Sequence, residues 1–120
     1  MIIEGMRHFN IPDKPVFAAW PCPIDISTFL NGDTVSGAVW SAAKADGTDA
    51  TTDVLDAGQH AFTTEEIIPW IKGGEPKTTY IATGKVTTSS GVKEVFYLRW
   101  SVLPFQPAIR ATGMDAVLAN

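Results

Sequence analysis

The run Thr79-Tyr80-Ile81-Ala82-Thr83-Gly84-Lys85-Val86-Thr87-Thr88, then Ser89-Ser90-Gly91, then Val92-Lys93-Glu94-Val95-Phe96-Tyr97-Leu98-Arg99-Trp100-Ser101-Val102-Leu103 decides the fold. In its second half Phe96, Leu98, Trp100 and Val102 alternate with Val95, Tyr97, Arg99 and Ser101. A period of two marks a strand with one buried face, because successive Cβ atoms point to opposite sides. The first set is the inward one. In the first half Tyr80, Ala82 and Val86 share a face, opposed by Ile81, Thr83, Lys85 and Thr87. The connection is short, polar and contains a glycine, so the two runs read as an antiparallel hairpin.

Upstream, Thr34 to Ala43 reads as a further strand. Val35 and Trp40 both ask for burial, yet they are an odd number of positions apart, and strict alternation puts them on opposite faces. A bulge at Gly37 resets the parity; a strand covered on both faces is the alternative. Asn31-Gly32-Asp33 ends a short helical turn over Asp25 to Leu30, with Asp25 as its N-cap and Phe29-Leu30 as its buried pair. Met1 to Pro23 is broken by Pro12, Pro15, Pro21 and Pro23 and reads as an extended edge or arm, with Val16 to Trp20 as its pairing strand.

Ala45 to Gly58 is a polar loop with a short strand at Thr51 to Leu55. Thr64 to Ile71 has helical spacing in Ile67, Ile68 and Ile71, but Pro69 costs a helix interior about 3 kcal/mol, so an edge strand is expected. The sum predicts an all-β fold: an immunoglobulin-like β-sandwich of about seven short strands, one short helical turn and an extended C-terminal tail. Residues 1–104 make the sandwich domain with its Pro-rich N-terminal arm, and 105–120 the tail.

Composition narrows the function. The chain has 120 residues, is 45% hydrophobic and only 18% charged, with a formal net charge of −4. An acidic balance argues against non-specific nucleic-acid or anionic-membrane binding, both of which need a basic patch. No apolar run approaches the ~20 residues of a membrane helix, and the N-terminus lacks the pattern of a secretory signal. The lone Cys22 excludes an intramolecular disulfide and a thiolate metal cluster.

No catalytic constellation emerges. Cys22 sits between prolines in Trp20-Pro21-Cys22-Pro23, without the electropositive setting that activates a thiol. His8 lies in the arm and His60 beside the Asp-rich loop; each reads as a surface or turn residue. Counting from Asp46, Thr51 and Ala57 stand where a Ca²⁺ loop of the EF-hand type needs Gly and Glu, so Asp46, Asp49, Asp53 and Asp56 read as a solvated loop with Asx turns. Glu65 and Glu66 would point to opposite faces of a strand and make no acid–base pair. Neither metal nor cofactor is expected, nor an enzyme. Of the four tryptophans, Trp40 and Trp100 go to the core. Trp70 beside Pro69, then Trp20, are the candidates for exposure, and with Phe105 on the tail they form the candidate interaction surface.

The run Phe17 to Val35, with Asp25-Ile26-Ser27-Thr28-Phe29-Leu30-Asn31-Gly32-Asp33-Thr34-Val35 leading into Trp40, resembles a family of short bacteriophage and prophage proteins of immunoglobulin-like type, the tail-fibre adaptors and head or tail decoration proteins. The later stretch, Gly73-Gly74 followed by Tyr80 and then Thr87-Thr88-Ser89-Ser90-Gly91, fits the second half of that pattern. Ile26 stands where the family often has Trp. The resemblance implies a non-enzymatic virion structural or assembly protein, found in the virion or in host cytoplasm during assembly. Its partners would be other virion structural proteins, and a homo-oligomer is compatible. In that pattern Gly32 turns the chain, Asp33 accepts backbone hydrogen bonds, Trp40 fills the core, Gly73 and Gly74 make a tight turn, and Tyr80 packs at the sheet end, while Trp100 is a core residue by its place in the alternation. The alternative is a carbohydrate- or cell-surface-binding β-sandwich using Trp70, Trp20 or Tyr97.

Overall fold

The computed structural model describes residues 7–103. Along them lie strands β1 (His8–Asn10), β2 (Trp20–Pro21) and β3 (Ile24–Asp25), helix α1 (Ser27–Leu30), strand β4 (Val35–Lys44) and helix α2 (Thr51–Val54). A 3-10 turn at Ala57–Gln59 precedes β5 (Ala61–Phe62), β6 (Glu66–Ile68), β7 (Trp70–Ile71), β8 (Thr79–Thr88) and β9 (Lys93–Ser101). The architecture is all-β.

The hairpin of β8 and β9 is the centre of a four-stranded sheet in the order β1-β9-β8-β4. Its register runs from Thr79 opposite Ser101 to Thr87 opposite Lys93. β4 pairs antiparallel to β8, and the pairing slips between Val35 and Gly37. That bulge brings Val35 and Trp40 to the same buried face, as their odd spacing demanded. The Pro-broken arm is the opposite edge: β1 runs parallel to β9, and Lys14 bridges to Val102.

The inward faces of this sheet supply most of the core. Tyr80, Ala82, Val86, Phe96, Leu98 and Trp100 are buried, and the Tyr80 and Trp100 rings stack at 5.8 Å. Trp40 lies opposite Gly84, where a Cβ would come within 2.6 Å of the indole, so the glycine makes room for the ring. Two small sheets, β3-β6-β5 and β2-β7, cover the other side with Ile24, Ile67 and Ile71. Burying each large aliphatic or aromatic side chain contributes roughly 2 kcal/mol. Much of the stability therefore sits in the β8–β9 hairpin and what packs on it.

Four expectations need correction. Val16 to Trp20 is not a strand: Val16 and Phe17 lie in a turn, and pairing begins only at Trp20. Thr51 to Val54 is a helical turn, so the described residues hold two α-helical turns besides the 3-10 turn, and not one. There the Thr51 Oγ1 both donates to the Ala42 carbonyl and accepts the Ala42 N–H, a side-chain clasp on β4 that replaces strand pairing. Thr64 to Ile71 is two strands separated by Pro69, and neither is an edge: β6 lies between β3 and β5, while β7 pairs with β2 and bridges to Leu55. Short pairings like these raise the strand number among the described residues to nine.

Candidate functional site

The motif residues act at the two ends of the β8–β9 hairpin. At the closed end, Asn31 (φ 53°) and Gly32 (φ 88°) take left-handed conformations that reverse the chain after α1. Asp33 then accepts the Thr34 N–H at 2.8 Å through Oδ1 and the Ser90 hydroxyl through Oδ2. Thr34 and Ser89 share a hydroxyl–hydroxyl bond of 2.6 Å. These bonds tie the loop before β4 to the hairpin turn. They hold the Asp33 carboxyl below the ordinary aspartate range, the Ser90 hydroxyl first among the causes. Asp25 is not the N-cap. Ile26 holds that place without a side-chain cap, and Asp25 accepts the Ser27 N–H at 2.9 Å as an Asx turn one step earlier.

The open end is packed instead of hydrogen-bonded at its surface. Gly73 (φ 49°) and Gly74 (φ 101°) lie against Tyr80 and Val102. The Tyr80 hydroxyl accepts the Glu75 N–H at 2.8 Å, which fixes the turn over the ring. Lys14 completes this end and had no sequence signal of its own. Its side chain is fully buried, and its ammonium donates to the carbonyls of Pro15, Val16 and Gly73 at 2.7, 3.2 and 2.8 Å. Burial lowers its pKa from the ordinary lysine value. The arm is thereby clamped onto the glycine turn.

The candidate interaction residues do not converge. Trp20 lies opposite Ile71, and Pro21 opposite Trp70. Alternation then puts the two indoles on opposite faces of this ribbon, Trp20 packed on the core and both half-buried. Trp40 and Trp100 are in the core. Phe105 lies outside the described residues. Among the described residues the large exposed apolar side chains are others: Phe17, Val39, Phe62, Val92 and Val95, with Val39 71% exposed. Each stands next to a turn or on an outward sheet position. Alternation around the buried Trp40 and Phe96 was the available signal for Val39 and Val95.

The polar groups serve the scaffold. His60 Nδ1 accepts the Trp70 N–H at 3.0 Å, and burial lowers its pKa. The Cys22 thiol is buried and pushed up to about 11 by desolvation, which keeps it protonated. Asp46 and Asp49 close Asx turns onto Thr48 and Thr51. Arg7 pairs with Glu94 at 2.7 Å and lies over the Phe29 and Phe96 rings. A cleft of about 520 Å³ opens between α1 and the hairpin turn, lined by Phe29, Asp33, Ser90 and Glu94. Among the described residues no group of His, Cys, Asp and Glu is placed to hold a metal ion.

Comparison with known families gives a match. The family model described as podophage GP4 fiber-tail adaptor protein gp77 matches residues 16–99. The chain belongs to this adaptor family. That places it among phage structural proteins. The matched span holds both glycine turns, the Asp33 latch, Trp40 and Tyr80, and it stops one residue short of Trp100. No curated protein and no solved structure matches.

Proposed function

We propose that this chain is a non-enzymatic fibre-tail adaptor, a part of the phage particle that works through protein–protein contacts with other virion structural proteins. The family match over residues 16–99 carries the reading. The geometry supports it, since the motif residues lock turns and fill the core, which makes a rigid body for docking. Exposed Val39 and Phe62 flank a groove with Ala38 and Ala61, an apolar surface of the kind found in interface cores. The sugar-binding alternative would need an aromatic platform, and the register separates Trp20 from Trp70.

Mass spectrometry of purified particles tests this. Peptides of this chain are expected in a fixed ratio to a tail component. Particles made without the gene should keep heads and tails and lack fibres. Complete, fibred particles without the chain would remove the adaptor reading.

A further inference from the structure

The two outward faces of the sandwich differ in charge. On the large sheet, alternation points the odd-numbered residues of β8, of β9 and of β4 beyond its bulge away from the core. Lys85, Lys93 and Arg99 are on that face, all exposed, and no carboxylate occupies any of its register positions on these strands. This occurs on a chain of net charge −4. Lys85 lies in one row between Val39 and Val95, both exposed. One carboxylate, the exposed Asp49, borders the face where it bridges to Ala43 at the β4 edge, so three cations outnumber it and an apolar strip runs between them.

The opposite layer has the reverse character. Asp25 and Glu66 are direct cross-strand partners, beside buried Ile24 and Ile67, and so point outward from the three-stranded sheet. Like charges in register repel and weaken a sheet. Exposed Glu65 adds a third carboxylate. Neither Asp25 nor Glu66 has an ion-pair partner among the described residues, and the same holds for Lys85, Lys93 and Arg99.

We propose that the large sheet's outer face docks a second copy of this chain through that copy's Asp25–Glu66 layer. Bringing the layers together relieves the repulsion across β3 and β6 and covers Val39 and Val95. The two patches face opposite ways on one molecule, so the contact is heterologous and propagates head to tail as a ring or an open array. The valines favour a protein surface over a polyanion such as nucleic acid, which would meet only the cations. The inference rests on charge placement; it shares Val39 with the apolar groove of the adaptor reading and is otherwise independent of it.

Sedimentation of the full chain tests it. Association is expected at low salt, weakening by about tenfold or more as salt rises past the screening range. K85E/R99E and D25K/E66K, each with an unchanged circular dichroism spectrum, should each be monomeric, and their mixture should associate. That restored pairing is a readout misfolding cannot supply. A wild-type chain that stays monomeric at every salt concentration overturns the proposal, as does a K85E/R99E chain that self-associates normally. Capture of a single-stranded oligonucleotide by a monomeric wild type would assign the face to nucleic acid and also overturn it. Incorporation into particles without self-association would leave the adaptor function standing and remove only this contact.

Discussion

The two ends of the β8–β9 hairpin use glycine for the same backbone purpose and stabilise it by different physics. Gly32 and Gly74 both have left-handed φ, 88° and 101°. Around Gly32 a Cβ would meet nothing within 4 Å, whereas at Gly74 it would lie 2.7 Å from Val102 Cγ2 and 3.1 Å from the Tyr80 ring. One end is an exposed latch of hydroxyls and a carboxylate; the other is a packed lock. A glycine in a motif thus reports a conformation, and only its neighbours tell whether it also reports a close approach.

Substituting both glycines by alanine separates the two contributions. Gly32→Ala should cost about 1 kcal/mol, the strain of a left-handed Cβ. Gly74→Ala adds an overpacked core contact to that strain and should cost about 3 kcal/mol or more. Urea unfolding midpoints read both. Equal costs would mean that Val102 and Tyr80 yield freely, and the distinction between latch and lock would fail.

The next largest effect belongs to Lys14, which strengthens the packed end. Lys14→Met keeps the aliphatic stem and removes the ammonium, leaving the Pro15, Val16 and Gly73 carbonyls without that donor. The Val16 and Gly73 carbonyls lose this donor while Pro15 keeps the Ala18 N–H, which makes the loss about 2 kcal/mol, partly offset because no charge need be desolvated. Hydrogen exchange should show the loosening where the arm meets β9, at the Ile11 and Leu103 amides, whose acceptors are the Arg99 and Lys14 carbonyls. A variant as stable as wild type would show that the clamp contributes only packing.

The same contrast explains what could be read from sequence. The hairpin and its inward residues were legible because alternation is a local property with one solution per strand. The Gly37 bulge followed from the spacing of Val35 and Trp40. Gly74 and Tyr80 were recognisable through the family pattern, although the pattern did not show that the ring lies on the glycine. Facing in the two-residue strands was not legible, because it depends on which distant segment pairs with them; Trp20 and Trp70 were therefore grouped as one surface and are not. Thr51-Thr52 looked like a strand because β-branched residues favour one, and the clasp of Thr51 on Ala42, a tertiary contact, decided for a helix. Lys14 had no signal, since a lysine between Asp13 and Pro15 looks like any surface cation until the carbonyls around it are placed.

The smallest effect distinguishes the ends by pH. Hydrogen bonds from Ser90, Thr88 and Thr34 depress the Asp33 pKa in the folded chain below the ordinary value of 3.8. For a carboxyl with a depressed folded pKa, the unfolded chain binds the proton more readily, so the stabilisation is present above 3.8 and is lost as pH falls through the lower folded value. Asp33→Asn removes that contribution at neutral pH. Its stability should therefore lie slightly below wild type at pH 7 and converge with it in acid. Asp25 and Asp46 are also depressed and are unchanged by the substitution, so both proteins keep a common acid loss. The Gly74→Ala gap should persist over the same range, because the contacts at that glycine, Val102 and Tyr80, include no carboxylate. Urea titrations of the three proteins across the acid range measure the two gaps directly. An Asp33→Asn gap that stays constant with pH would show that the latch acts through its shape and that its charge contributes nothing.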